Sequence, residues 1–167
     1  MIRSFRRIGA LGAATVAAVT FAAAAPVAAA PAVPADGFEF TLYAKEVPAD
    51  EDEVPDLSPD VGDSLAFADD LSSTKGGKTI GRDGVSCTVV RGGEQADLLC
   101  VGTFVLNGGP GGQLTGQTLL SVDTSDEAPA AFDIAVTGGT GDFKDARGWI
   151  RSTPDGDYSR LEFHITR

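Results

Sequence analysis

The sequence predicts an all-β protein, and an eight-stranded antiparallel β-barrel is the architecture that it favours. Apolar and polar residues alternate in several short segments, which is the pattern of strands with one buried face. Glycine and proline separate these segments, and beyond about residue 30 none of the chain has the apolar spacing of an amphipathic helix. Eight strands can close into a barrel, and closure removes the exposed edges of an open sheet. A sandwich of two sheets is the alternative.

The first four strands are predicted from alternation and from the turns between them. Phe38, Phe40 and Leu42 place three apolar side chains on one face of the first strand. The second is a short segment, and a polar, glycine-containing turn at 91–94 separates the third from the fourth. The predicted bounds are Phe38–Ala44, Ser64–Ala68, Gly84–Val90 and Leu98–Leu106.

The last four strands surround a run of glycines. Gly138, Gly139 and Gly141 lie between the sixth and seventh strands, and glycine permits the positive φ and the close backbone approach of a sharp reversal. Alternation is clear in the sixth strand, at Phe132, Ile134 and Val136, and in the eighth, at Leu161, Phe163 and Ile165. The predicted bounds are Gln113–Val122, Phe132–Thr137, Ala146–Ser152 and Tyr158–Thr166.

The N-terminal 29 residues have the features of a secretory signal peptide. Three arginines precede an apolar, alanine-rich run, and small residues suitable for cleavage follow it. We therefore expect 1–29 to be cleaved, 30–37 to be a flexible N-terminal segment, and 38–167 to form a single domain. The expected location is extracellular, with no stable membrane anchor after cleavage.

The mature protein is strongly acidic. Because the leader contains three arginines and no acid, its removal changes the formal charge from -11 to -14. Such a surface repels nucleic acid phosphates and anionic lipid headgroups, so neither is an expected partner.

Cys87 and Cys100 are the two cysteines of the chain, and both belong to the exported part. They lie on the third and fourth predicted strands, which are adjacent and antiparallel. An even number of cysteines in an oxidising compartment favours a disulfide, so we expect these two to be bonded.

Neither a metal nor a cofactor is expected. An acidic loop at 48–60 lacks the ligand register and the glycine of an EF-hand, which favours a solvated loop over a calcium site. His164, the single histidine, falls on the polar face of the last strand, where a solvent-facing position is expected rather than a catalytic one. One histidine and two bonded cysteines cannot form a histidine-rich zinc site.

The segment Phe132–Gly148 resembles the signature of dirigent proteins, and its Ala-Val-Thr-Gly-Gly-Thr-Gly portion is similar to the corresponding turn of allene oxide cyclases. Two upstream runs, Gly62–Leu71 and Ile80–Gly84, resemble other dirigent segments more loosely. The resemblance implies an eight-stranded barrel with a small, largely apolar lumen, a trimeric assembly, and no cofactor. Dirigent proteins guide the coupling of phenoxy radicals, and allene oxide cyclases direct a stereoselective cyclisation.

The resemblance also implies candidate catalytic residues. Asp133 and Arg147 match the acid and the arginine of the dirigent signature, Asp142 follows the glycine turn, and Asp69 matches an upstream acid. Asp133 and Arg147 would lie close together across the glycine turn, where a guanidinium could tune the carboxyl as a proton donor or acceptor. A structural ion pair across the two strands is the alternative for them.

The function implied is that of a secreted dirigent-like barrel that binds a small hydrophobic molecule in its lumen and steers its cyclisation or coupling. If it is an enzyme, it would be an isomerase- or cyclase-like one, or would have a dirigent-type activity. A non-catalytic secreted binding or surface-interaction protein on the same barrel is the alternative.

Overall fold

The protein forms a closed antiparallel β-barrel, as seen in a computed structural model that describes residues 37–48, 60–123 and 130–167. Each strand pairs with the next, and the last pairs with the first. The strands are β1 Gly37–Glu46, β2 Ser64–Ser72, β3 Thr79–Arg91, β4 Gln95–Leu106, β5 Gly112–Asp123, β6 Phe132–Gly139, β7 Arg147–Asp155 and β8 Tyr158–Thr166. The predicted eight-stranded barrel is therefore confirmed. The expected signal peptide and residues 49–59 of the acidic loop lie outside the described residues.

Aromatic side chains fill the barrel interior near the start of β1. Phe40 stacks on Phe163 with ring centroids 4.5 Å apart, and Phe104 meets Phe163 edge-on at 5.5 Å. Phe38 meets Phe143 edge-on at 5.4 Å. Such offset and edge-to-face contacts add to the stabilisation from apolar burial. The interior at this end is packed, so open space is confined to the rest of the barrel.

The glycine turn between β6 and β7 positions one of these aromatics. Val136 pairs with Gly148, and a short 3₁₀ helix, Gly141–Phe143, occupies the connection. The helix directs Phe143 into the core, where the residue has no exposed surface. The sequence-predicted turn thus both joins two strands and delivers a core side chain.

The predicted disulfide is confirmed. Cys87 and Cys100 are direct partners across β3 and β4, and their sulfurs are bonded. Both residues are buried and belong to the inward-facing set of their strands. The bond therefore cross-links the barrel wall from the inside.

No helix in the described part of the chain is long and apolar enough to cross a membrane.

Candidate functional site

A cavity of about 510 Å³ occupies the part of the barrel that the aromatic core leaves open. This volume is within the range of small-molecule sites. Its wall is largely apolar and includes the disulfide. The inward side chains that form it include Ala44, Leu65, Phe67, Val85, Cys87, Leu98, Cys100, Phe104, Leu120, Phe132, Ile134 and Leu161.

Two aspartates interrupt this apolar wall. Asp69 on β2 and Asp83 on β3 both line the cavity, because each occupies an inward-facing position of its strand. They are direct partners across the two strands, and the backbone N–H of Asp69 donates to Oδ1 of Asp83 at 3.1 Å. Their side chains are also hydrogen bonded to each other.

Burial and mutual proximity raise the pKa of both carboxyl groups. Asp83 is only 5% exposed, and burial, followed by the negative charge of Asp69, raises its pKa to about 8. Burial also raises the pKa of Asp69, although the hydrogen bond from the Asp83 side chain partly offsets this. Two carboxylates in contact cannot both ionise easily, so the pair retains one proton at neutral pH, held by Asp83. The site therefore presents a proton donor beside a proton acceptor.

The cavity carries negative but no positive side chains. Besides the aspartate pair, Glu46 and Asp157 line it, and its described lining includes no lysine, arginine or histidine. An anionic ligand would have no counter-charge there and would meet carboxylates. The site therefore suits neutral or cationic molecules.

Asp133, one of the four predicted residues, lies outside the cavity. It occupies the outward phase of β6 and is exposed, with Oδ1 accepting a hydrogen bond from Nη1 of Arg151 at 3.0 Å. Arg151 is also its direct partner across β6 and β7. The expected Asp133–Arg147 pair is therefore wrong: the structural pairing exists, but with a different arginine.

Arg147 and Asp142 also lie on the exterior. Nη1 of Arg147 donates to the carbonyl oxygen of Ala146 at 2.7 Å. Asp142 accepts a hydrogen bond from the backbone N–H of Gly111 at 3.0 Å, which joins the 3₁₀ helix to the loop between β4 and β5. Of the four predicted residues, only Asp69 lines the cavity.

Asp83 is a cavity-lining acid that was not among the residues predicted from the sequence. The predicted third strand began at Gly84, whereas β3 begins at Thr79 and carries Asp83 into the barrel. The alternation of the sequence could have identified Asp83, because it lies at alternate positions with Val85, Cys87 and Val89, which all face inward.

His164 faces outward, as predicted. Its ring stacks on that of Trp149 with centroids 4.0 Å apart, and its Nδ1 lies 3.4 Å from Oε1 of Glu39. Within the described ranges, no group of three or more His, Cys, Asp or Glu side chains could hold a metal ion.

Solved structures match this barrel, whereas no protein-family model and no curated protein matched the chain. A pyocyanin demethylase aligns with a TM-score of 0.59 and 28% identity, over 77% of this chain and 100% of that chain. Two pterocarpan synthase dirigent proteins align with TM-scores of 0.57 and 0.54 and identities of 22% and 18%. They cover 78% of this chain in each case, and 86% and 93% of their own. The barrel is thus of the dirigent-like type that the glycine-rich signature indicated.

Proposed function

We propose that this protein is an exported dirigent-like barrel that binds a small, apolar, non-anionic molecule and steers proton transfer during its cyclisation or coupling. The observation that carries the proposal is the facing pair of Asp69 and Asp83 in an otherwise apolar cavity. A cyclisation driven by orientation and proton transfer needs no cofactor, whereas a coupling would start from radicals that an external one-electron oxidant forms first.

The two aspartates take different roles. Asp83 holds a proton at neutral pH and can donate it to an oxygen or nitrogen on which negative charge develops. Asp69, which lies directly opposite Asp83 in the cavity wall, can accept a proton released elsewhere on the bound molecule. Because the surrounding wall is apolar, it orients the ligand by shape and excludes water from the exchange.

Two further observations support the proposal. The pyocyanin demethylase, as its name states, acts on a small molecule. It is 28% identical to this chain, and the alignment covers the whole of the demethylase chain. The Cys87–Cys100 disulfide fits an oxidising compartment and hence export.

The charge preference of the cavity can be tested with two matched dyes. N-phenyl-1-naphthylamine is neutral, and 8-anilinonaphthalene-1-sulfonate adds a sulfonate to the same rings. We expect the neutral dye to bind at least ~10-fold more tightly, because the sulfonate would approach uncompensated carboxylates. Fluorescence titration at pH 7 measures both affinities.

Variants of the protein distinguish the effect of charge on dye affinity from the effect of dye hydrophobicity. Asp69→Asn should raise the affinity of the sulfonated dye while leaving that of the neutral dye nearly unchanged. Leu98→Trp, which narrows the cavity, should weaken the neutral dye, whereas Val90→Trp on the outer face should not. Equal effects of Leu98→Trp and Val90→Trp would place the dye outside the cavity and contradict the proposal.

Conversion of the natural ligand should depend on the aspartate pair. Purified protein is incubated with an extract of its producing cells, and mass spectrometry identifies compounds that are retained or converted. Asp83→Asn and Asp69→Asn should each slow conversion by ~10²- to 10⁴-fold, because each removes one partner in proton transfer. Asp133→Asn, on the barrel exterior, is the matched control and should convert at the normal rate.

The same experiment distinguishes the non-catalytic alternative. Retention of a compound without conversion by the wild-type protein would support a binding protein. Full conversion by Asp83→Asn would show that the pair is structural, and conversion lost only in Asp133→Asn would move the site to the exterior.

A further inference from the structure

Trp149, the single tryptophan of the chain, stands on the outer wall of the barrel and is 43% exposed. Its ring stacks on that of His164, its direct partner on β8, with the two planes 19° apart. Nδ1 of His164 lies 3.4 Å from Oε1 of Glu39, the partner of His164 on β1. One face of the indole is therefore backed by a ring that is itself held, and the opposite face is directed toward β6.

That opposite face lies above a small residue. Ala135 is the direct partner of Trp149 on β6, is exposed, and has only a methyl side chain. Gln117 on β5 is the direct partner of Ala135 and is the next outward residue across the wall. Because β5 and β7 are two strand spacings apart, Gln117 and Trp149 are separated by ~10 Å, which is room for one ring against the indole. We call this space above Ala135, between Trp149 and Gln117, the indole slot.

Polar side chains border both ends of the indole slot. At one end, Nη1 of Arg151 donates to Oδ1 of Asp133, its direct partner on β6, at 3.0 Å. At the other end, Nη1 of Arg147 donates to the carbonyl oxygens of Ala146 and Thr137, at 2.7 and 3.5 Å. Arg147 forms no salt bridge with a carboxylate in the described ranges. Two arginines and one acid thus border the slot, so its local charge is positive although the chain as a whole is acidic.

We propose that the indole slot binds a saccharide ring that carries a carboxylate, the hexuronate unit of an acidic glycan. The C–H face of a pyranose packs against an indole face and buries the apolar side of an otherwise hydroxylated ring. The hydroxyls need donors and acceptors around the ring, which Gln117, Asp133 and Arg151 supply. Arg147 supplies the positive charge for the carboxylate, through guanidinium N–H groups that the two carbonyls leave free.

The polar border distinguishes a saccharide from an aromatic acid. An aromatic acid could stack on the indole and pair with Arg147, but it has no hydroxyls around its ring. It would cover the polar groups of Gln117 and Asp133 without replacing their hydrogen bonds to water. A hexuronate satisfies the aromatic face, the polar border and the arginine together.

The fluorescence of Trp149 tests the proposal directly, because the chain contains no other tryptophan. The probes are tetramers of galacturonate and of mannuronate, and the same tetramers after reduction of their carboxylates to alcohols. We expect at least one uronate tetramer to shift the emission with saturation and to bind ~10-fold or more tightly than its reduced form, because reduction removes the partner of Arg147. Raising the salt concentration should narrow this difference.

Variants locate the binding in the slot. Arg147→Gln should lower the affinity for the uronate tetramer to that of the reduced one, whereas Arg82→Gln, on the outer face of β3, should not. Ala135→Leu should fill the slot and weaken the uronate tetramer ~10-fold or more, whereas Ala66→Leu, at an exposed position of β2, is the matched control. All four positions are exposed, and circular dichroism confirms that the variants are folded.

Three results would overturn the proposal. The first is emission that responds to neither uronate tetramer, or equal affinities for a uronate tetramer and its reduced form. The second is an equal loss in Arg147→Gln and Arg82→Gln, which would indicate general attraction of a polyanion. The third is competition by N-phenyl-1-naphthylamine, which would place the saccharide in the cavity. Because the slot lies on the outer wall, these outcomes are independent of the chemistry proposed for the cavity.

Discussion

The free energy of unfolding should fall as the pH rises from about 4 to 8, and Asp83→Asn should remove much of that fall. The pKa of Asp83 is about 8 in the folded protein and near 3.8 in the unfolded chain. Between these values the folded state binds the extra proton, so raising the pH takes stability away. The stabilising contribution of the Asp83 proton is fully present below the pKa of Asp83 in the unfolded chain. It is lost as the pH rises to and through the pKa of Asp83 in the folded protein. A slope of about 1 kcal/mol per pH unit is the expected scale.

Asparagine is a suitable replacement because it imitates the protonated acid. Its amide oxygen can accept the hydrogen bond from the backbone N–H of Asp69, and its NH₂ can donate to the Asp69 carboxylate. The variant should therefore be close to the wild type at pH 5 and more stable than it at pH 8.5. Urea denaturation followed by the fluorescence of Trp149 gives the free energy at each pH.

A matched control distinguishes the effect of the Asp69–Asp83 pair on the pH dependence of stability from the general effect of the protein's negative charge. Acidic side chains repel one another increasingly as the pH rises, and this lowers stability in every variant. Asp133→Asn removes an exposed carboxylate instead, so its stability should keep the pH dependence of the wild type. Parallel curves for the wild type and Asp83→Asn would show that the carboxyl is not protonated in the folded protein.

Alternation in the sequence was enough to predict the strands and the barrel, because each strand has one apolar face. The ends of the strands were less visible. Asp69 and Asp83 both fell just outside the predicted second and third strands, since aspartate and glycine are poor strand formers. Pairing with neighbouring strands on both sides extends the ladders past these residues, and this tertiary effect has no local signal.

The register between strands was the other limit. Placing Asp133 near Arg147 assumed a reversal centred on the glycines, but β6 and β7 pair so that Asp133 faces Arg151, four residues further on. The 3₁₀ helix Gly141–Phe143 occupies part of the connection between β6 and β7 and shifts the pairing register of β7 relative to the expected one. The same helix places Phe143 in the core, where this residue has no exposed surface. The pairing of Asp69 with Asp83 depends in the same way on register and on the irregularity at Leu71/Ser72.

Gly139→Ala should destabilise the protein by about 3 kcal/mol or more, whereas Gly138→Ala should change stability by less than about 1 kcal/mol. A methyl group at Gly139 would lie 2.6 Å from the carbonyl oxygens of both Gln113 and Phe143 and 2.8 Å from Cβ of Phe143. At Gly138 its nearest contact would be Oγ1 of Thr115 at 3.7 Å, an ordinary distance. Urea denaturation of the two variants under identical conditions measures the difference.

The clash at Gly139 is difficult to relieve because both oxygens already accept hydrogen bonds. The carbonyl of Gln113 accepts from the N–H of Thr140 at 2.8 Å, and that of Phe143 from the N–H of Ala146 at 3.0 Å. Moving either oxygen would weaken a turn contact, and moving Phe143 would disturb a side chain with no exposed surface. Equal stabilities for the two variants would mean that the turn is free to adjust. A large difference would instead show that the second glycine is required by close packing, with the first replaceable.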